Sequence, residues 1–120
     1  MKVTVNGYEI ELIHSLRTHI LYEGIVGESL DYTKLTNLTK ITQLFYCNIV
    51  ATMQAKKLPL DFTWNDFLDW LDANGDYNVI NEYALWLTHQ LEQQYNLMGE
   101  SKEETDKSDN SIKKKLTKKK

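Results

Sequence analysis

The sequence has a single cysteine, a single proline and no long apolar run, and each of these absences excludes something. Cys47 alone cannot close an intrachain disulfide. Its setting in Leu44-Phe45-Tyr46-Cys47 reads as a buried structural thiol, because unpaired cysteine is among the most buried residue types. No window approaches the roughly eighteen apolar residues of a membrane-spanning helix. Met1-Lys2-Val3-Thr4-Val5-Asn6-Gly7 contains no apolar h-region, so the expectation is a cytoplasmic protein without a signal peptide or membrane partner.

Chemistry-bearing motifs are missing as well. There is no HExxH, CxxC, phosphate-binding glycine loop or G-x-S-x-G. His14, His19 and His89 are too scattered for a zinc set. Asp72-Ala73-Asn74-Gly75-Asp76 looks like part of a calcium loop. Setting Gly75 at its sixth position, however, puts Trp70 first and Asn81 twelfth, where coordinating oxygens are required. Glu23 has no evident carboxylate or histidine partner in sequence and reads as a helix-surface or capping carboxylate. No catalytic residue, metal or cofactor is expected, and the chain is not expected to be an enzyme.

What is present divides the chain in two. Residues 1–98 carry six Lys/Arg and twelve Asp/Glu, net −6, together with every aromatic residue. Residues 99–120 carry eight Lys and five Asp/Glu, net +3, and place six lysines in the last eight positions. The first part can build a modest core without staples. The second cannot bury enough surface to offset the entropy of ordering, so the boundary falls at Met98–Gly99, with a disordered tail beyond.

The local patterns predict a mainly α (α+β) fold, an N-terminal β-hairpin followed by about four helices in a small bundle. Val3-Thr4-Val5 and Tyr8-Glu9-Ile10-Glu11-Leu12 alternate around Asn6-Gly7, the preferred pair for a type I′ turn. Such a hairpin is marginal alone and must pack on helices or on another subunit. Ser15 can cap a helix to about Val26, with Leu16, Ile20 and Ile25/Val26 as its apolar side and Gly27 as its stop. A second helix, from Leu35 or Leu38 to Lys56, carries the stripe Leu38, Ile41, Leu44, Phe45, Ile49 and Met53, and Pro59 lies beyond its end. Thr63-Trp64-Asn65-Asp66 reads as a capping box. The helix it opens has Trp64, Phe67, Leu68 and Leu71 on one face and Asp66, Asp69 and Asp72 on another, and it stops at Asn74-Gly75. A last helix, from about Asn78 to Met98, bears Ile80, Tyr83, Ala84, Leu87 and Leu91.

The lysine-rich ending invites a nucleic-acid reading, but the acidic body and the absence of a basic helix stripe argue against specific binding. A small DNA-binding regulator of a mobile element is the alternative function. It would need cationic or amide side chains where the helix after Thr63 offers aspartates. Trp70, set beside that acid row, suits an exposed protein-binding position.

The order of these signals resembles the small tail assembly chaperones of long-tailed bacteriophages and prophages. In that family a short β element precedes a helix with an acidic residue four positions before a glycine, matched here by Glu23 and Gly27 in Leu21-Tyr22-Glu23-Gly24-Ile25-Val26-Gly27-Glu28-Ser29-Leu30. A Leu/Tyr/Ala-rich helix follows, here Leu44 to Ala51, and then an "lT.eefld.ld" segment, here Phe62 to Asp72. The resemblance covers roughly residues 1–98. Gly24, in mid-helix, departs from a good helix former at a cost of up to about 1 kcal/mol.

The resemblance implies a chaperone that coats the tape measure protein in the host cytoplasm during tail morphogenesis, self-associates, and is absent from the mature virion. It also implies a longer isoform made by ribosomal frameshifting, for which the codons of Lys113–Lys115 and Lys118–Lys120 are candidate slippery sites. The aromatic faces of the last two helices place the partner on Trp64, Phe67, Trp70, Tyr83, Trp86 and Leu87.

Overall fold

The computed structural model describes residues 1–35 and 37–106. Strands β1 (Lys2–Val5) and β2 (Tyr8–Glu11) form an antiparallel hairpin in the register Val3↔Ile10 and Val5↔Tyr8. Asn6 and Gly7 both take positive φ, 52° and 83°, as a type I′ turn requires. Four α-helices follow: α1 (Leu16–Val26), α2 (Leu38–Ala55), α3 (Trp64–Ala73) and α4 (Tyr77–Asp106). A 3₁₀ turn at Tyr32–Lys34 lies between α1 and α2. Residues Met1–Trp86 make one unit, and α4 from Leu87 onward belongs to a second.

Local chemistry fixes most of the boundaries. Asn37 caps α2, its side chain accepting from the Lys40 amide. Thr63 and Asp66 close the expected capping box, with Asp66 N–H donating to Thr63 Oγ1 at 3.1 Å and Thr63 N–H to Asp66 Oδ2 at 3.0 Å. At the end of α2 the Leu58 amide donates to the Met53 carbonyl and the Lys57 amide to that of Gln54, a Schellman closure. Its left-handed position is filled by Lys57, at φ 61°, rather than by glycine. Asp76 N–H closes α3 onto Leu71 O in the same way, through Gly75 at φ 99°.

Helix α4 runs past the expected end at Met98. Gly99 costs a helix about 1 kcal/mol, and Glu100, Lys102, Glu103 and Glu104 around it are good helix formers. The backbone is helical to Asp106. The rest of the lysine-rich segment, read from sequence as disordered, lies outside the described residues.

The core of the first unit is built around α2. Its middle is buried on more sides than the apolar stripe predicts, because Cys47, Asn48, Ala51 and Thr52 join Leu44, Phe45, Ile49 and Met53 inside. Phe45 is stacked on Tyr83 of α4, with ring centroids 4.3 Å apart and planes 8° from parallel. It also meets Phe67 and Trp70 of α3 edge-on. Aromatic pairs of this kind contribute about 0.5–1.5 kcal/mol each beyond their area burial. The hairpin, marginal alone, adds buried Val3, Val5 and Ile10 to this core. It is tied to α3 by Trp70, whose Nε1–H donates to the Thr4 carbonyl at 2.7 Å.

Cys47 is fully buried, and burial pushes its thiol up to about 12. A thiol needs both access and ionisation to react. Ellman's reagent at about pH 8, close to the pKa of an unperturbed thiol, is therefore expected to modify the native chain no faster than the chain unfolds. Denaturant should make the reaction immediate. Rapid modification of the native chain would show that α2 is not sealed.

Candidate partner interface

The residues expected to bind a partner divide between core and surface. Phe67 and Tyr83 are fully buried, and Leu87 is buried. Trp70 and Trp86 are half-buried, and Trp64 is at the surface. Phe67 and Tyr83 are thus core residues. The expectation of an exposed Trp70 is corrected in the same way: its ring stacks along Phe67 and its indole N–H is taken by the hairpin. Trp64 packs edge-on against Tyr46, leaving its outer edge to solvent. Asp66, Asp69 and Asp72 form the solvated row the sequence suggested.

Helix α1 departs most from its sequence pattern. Leu16, Ile20 and Ile25, expected to face the core, are 71%, 59% and 56% exposed. The residues it buries are Thr18 and Tyr22. The cause lies in α2. Asn48, fully buried, donates through Nδ2 to the Ile13 carbonyl at 2.8 Å and to Thr18 Oγ1 at 3.4 Å. Its Oδ1 accepts from the Tyr83 hydroxyl at 3.1 Å. Burial pushes the Tyr83 phenol well above its ordinary value, so it remains a donor. Thr52 Oγ1 donates to the Asn48 carbonyl and accepts from the Ile13 amide. Buried polar groups need partners, and this cluster finds its partner on α1 in the threonine face rather than the aliphatic one.

Leu16, Ile20 and Gly24 stand one turn apart on the outer side of α1, forming an i, i+4 row with two large aliphatic side chains and a gap. A Cβ at Gly24 would meet nothing within 4 Å, so the fold of the chain itself does not require glycine there.

Glu23 and Gly27, the spacing that carries the family resemblance, have a local role. Gly27 ends α1 in the left-handed region at φ 81°, its N–H donating to the Glu23 carbonyl. The Glu23 carboxylate accepts from the Leu30 amide at 3.1 Å and lies 3.1 Å from His19 Nε2. Leu30 is buried, so Glu23 fastens the chain that leaves α1. Farther along that chain Glu28 pairs with Lys40 of α2. Among the described residues no group of acidic, histidine or cysteine side chains could hold a metal ion. Among the same residues no helix is long and apolar enough to cross a membrane.

The Leu30 amide, aided by His19, holds the Glu23 carboxyl below its ordinary value of 4.5. A carboxyl lowered on folding stabilises the fold above that value, and the contribution is lost as pH falls through the folded value. The difference in denaturation midpoint between wild type and Glu23→Ala should therefore be full at neutral pH and shrink below pH 4.5. The Leu30 amide should exchange faster in the variant. A difference that does not change with pH would contradict this role.

Comparison with known proteins finds no matching family model, no matching curated protein and no matching solved structure.

Proposed function

We propose that this chain is a tail assembly chaperone of a long-tailed phage or prophage, which binds the tape measure protein and keeps it soluble while the tail is built. The observation that carries this reading is the outward aliphatic row of α1. A small fold that already fills its core with aromatic rings leaves Leu16 and Ile20 of that row in water, with Ile25 exposed on another side of the same helix. Large aliphatic side chains gathered on one exposed helix mark a surface that meets another chain. A tape measure protein is a long helix with apolar patches, which can lie against such a row through i, i+3, i+4, i+7 anchors. Further support comes from the order of elements, hairpin, Glu-to-Gly helix, buried aromatic helix and capping-box helix, which is the order on which the resemblance rests. The same row suits self-association.

The DNA-regulator alternative gains nothing from α3, where Asp66, Asp69 and Asp72 face solvent and would repel phosphates. The chemistry of the site is that of recognition rather than catalysis.

The proposal expects a tape measure gene next to that of this chain, and co-expression with its product tests it. The pair should co-purify, and the tape measure protein should move from the insoluble to the soluble fraction. Leu16→Asp combined with Ile20→Asp should abolish that rescue while changing the variant's own stability by less than about 1 kcal/mol, since exposed substitutions typically stay within about 0.5 kcal/mol each. A tape measure protein that stays insoluble beside abundant wild-type chain would refute the proposal.

A further inference from the structure

A second surface, separate from the α1 row, lies where α2, α3 and α4 meet within the first unit. A cleft of about 210 Å³ is lined by Leu38, Thr42, Leu71, Asp76, Tyr77 and Ile80. Leu71 and Ile80 are buried, whereas Leu38 and Tyr77 are 50% and 68% exposed. The cleft thus has an apolar base and an apolar rim. Its volume falls below the roughly 300 Å³ at which small-molecule sites begin, so it suits a side chain from a partner better than a free ligand.

The one charged side chain among the residues lining the cleft is acidic, and α3 with the start of α4 is acidic in sequence. Residues 58–86 include six Asp/Glu and not one Lys or Arg. One of those acids, Asp76, lines the cleft itself. On α2, Lys40 is engaged by Glu28. An acid in the lining of an apolar cleft favours a cationic partner and disfavours an anionic one.

We propose that this cleft seats the client: it takes one large apolar side chain of an amphipathic helix whose flanking positions carry Lys or Arg. The helical form of the client rests on the chaperone reading, and its charge follows from the cleft. The cationic positions lie toward Asp76 and the acidic outer row of α3, while the apolar anchor enters between Leu38 and Tyr77.

Two synthetic helices of the same apolar pattern, roughly 18 residues or five turns long, test this against the full-length, ¹⁵N-labelled chain. One carries Leu and Lys, the other Leu and Glu. The Leu/Lys helix should shift the amides of Leu38, Thr42, Tyr77 and Ile80. It should bind at least about tenfold tighter than the Leu/Glu helix at low salt, with the ratio shrinking as salt is raised. Tyr77→Ser should weaken it by about tenfold, the effect of losing one anchor. Tyr77 is exposed, so the variant should keep the wild-type circular dichroism and melting temperature. Equal affinity for the two helices, shifts confined to α1 or to residues 113–120, or a Tyr77→Ser variant that binds like wild type would each overturn the proposal. Co-expression separates the two levels. If the wild-type chain rescues the tape measure protein and Leu38→Ser with Tyr77→Ser rescues it equally well, the chaperone function stands and the cleft assignment falls. If the wild type does not rescue, the function itself falls.

Discussion

The side-chain carboxamide of Asn48 is the interaction on which the rest of the first unit depends. It is fully buried in the middle of the central helix, and it satisfies itself on three different segments: the Ile13 carbonyl after the hairpin, the Thr18 hydroxyl of α1 and the Tyr83 hydroxyl of α4. An unpaired buried amide would cost about 1–3 kcal/mol, a large share of what a small domain has to spare. The three segments are therefore held to positions that meet it. Thr52, one turn along α2, adds a second bond to Ile13 and so fixes the chain at the point where the hairpin gives way to α1. Tyr83 links this polar cluster to the aromatic one, since the ring that donates to Asn48 is the ring stacked on Phe45.

From that constraint follows the feature with functional meaning. A helix placed by hydrophobic burial alone would turn the side bearing Leu16 and Ile20 inward. Here the inward side of α1 is set by Thr18, which serves Asn48, and by Tyr22, and the aliphatic residues are left outside. The apolar area left in water by this orientation is available to another chain. The cleft between Leu38 and Tyr77, with an apolar rim and Asp76 in its lining, is the second contact point proposed, of different character from the α1 row. Both are apolar surfaces open to another chain, and the one thiol is buried in α2.

Features that depend on neighbours in sequence were legible before the structure. Asn6-Gly7 dictates the hairpin, Thr63 and Asp66 dictate the start of α3, and Gly27 dictates the end of α1, because each requirement is met within a few residues. The stripe on α2 marked four residues that are buried, Leu44, Phe45, Ile49 and Met53, while Leu38 at its start is 50% exposed. Features that depend on distant partners were not legible. The buried face of α1 is chosen by Asn48, 30 residues away from Thr18. Trp70 looked like an exposed binding residue because its partner, the Thr4 carbonyl, is 66 residues away. Phe67 and Tyr83 were marked as partner-binding for being aromatic, whereas their rings close the core around Phe45. The exposed apolar side chains of α1 are instead aliphatic residues whose spacing alone looked like that of a core.

The claim that α1 faces outward with its aliphatic side can be measured directly by thiol accessibility, using Ile20→Cys and Thr18→Cys in a chain whose own Cys47 is buried. A cysteine at position 20 is expected to react with a soluble maleimide as fast as a free thiol, and one at position 18 only as fast as the chain unfolds. Rapid reaction at position 18 with protection at position 20 would mean that α1 buries its aliphatic face, and would contradict both the role given to Asn48 and the surface given to the partner.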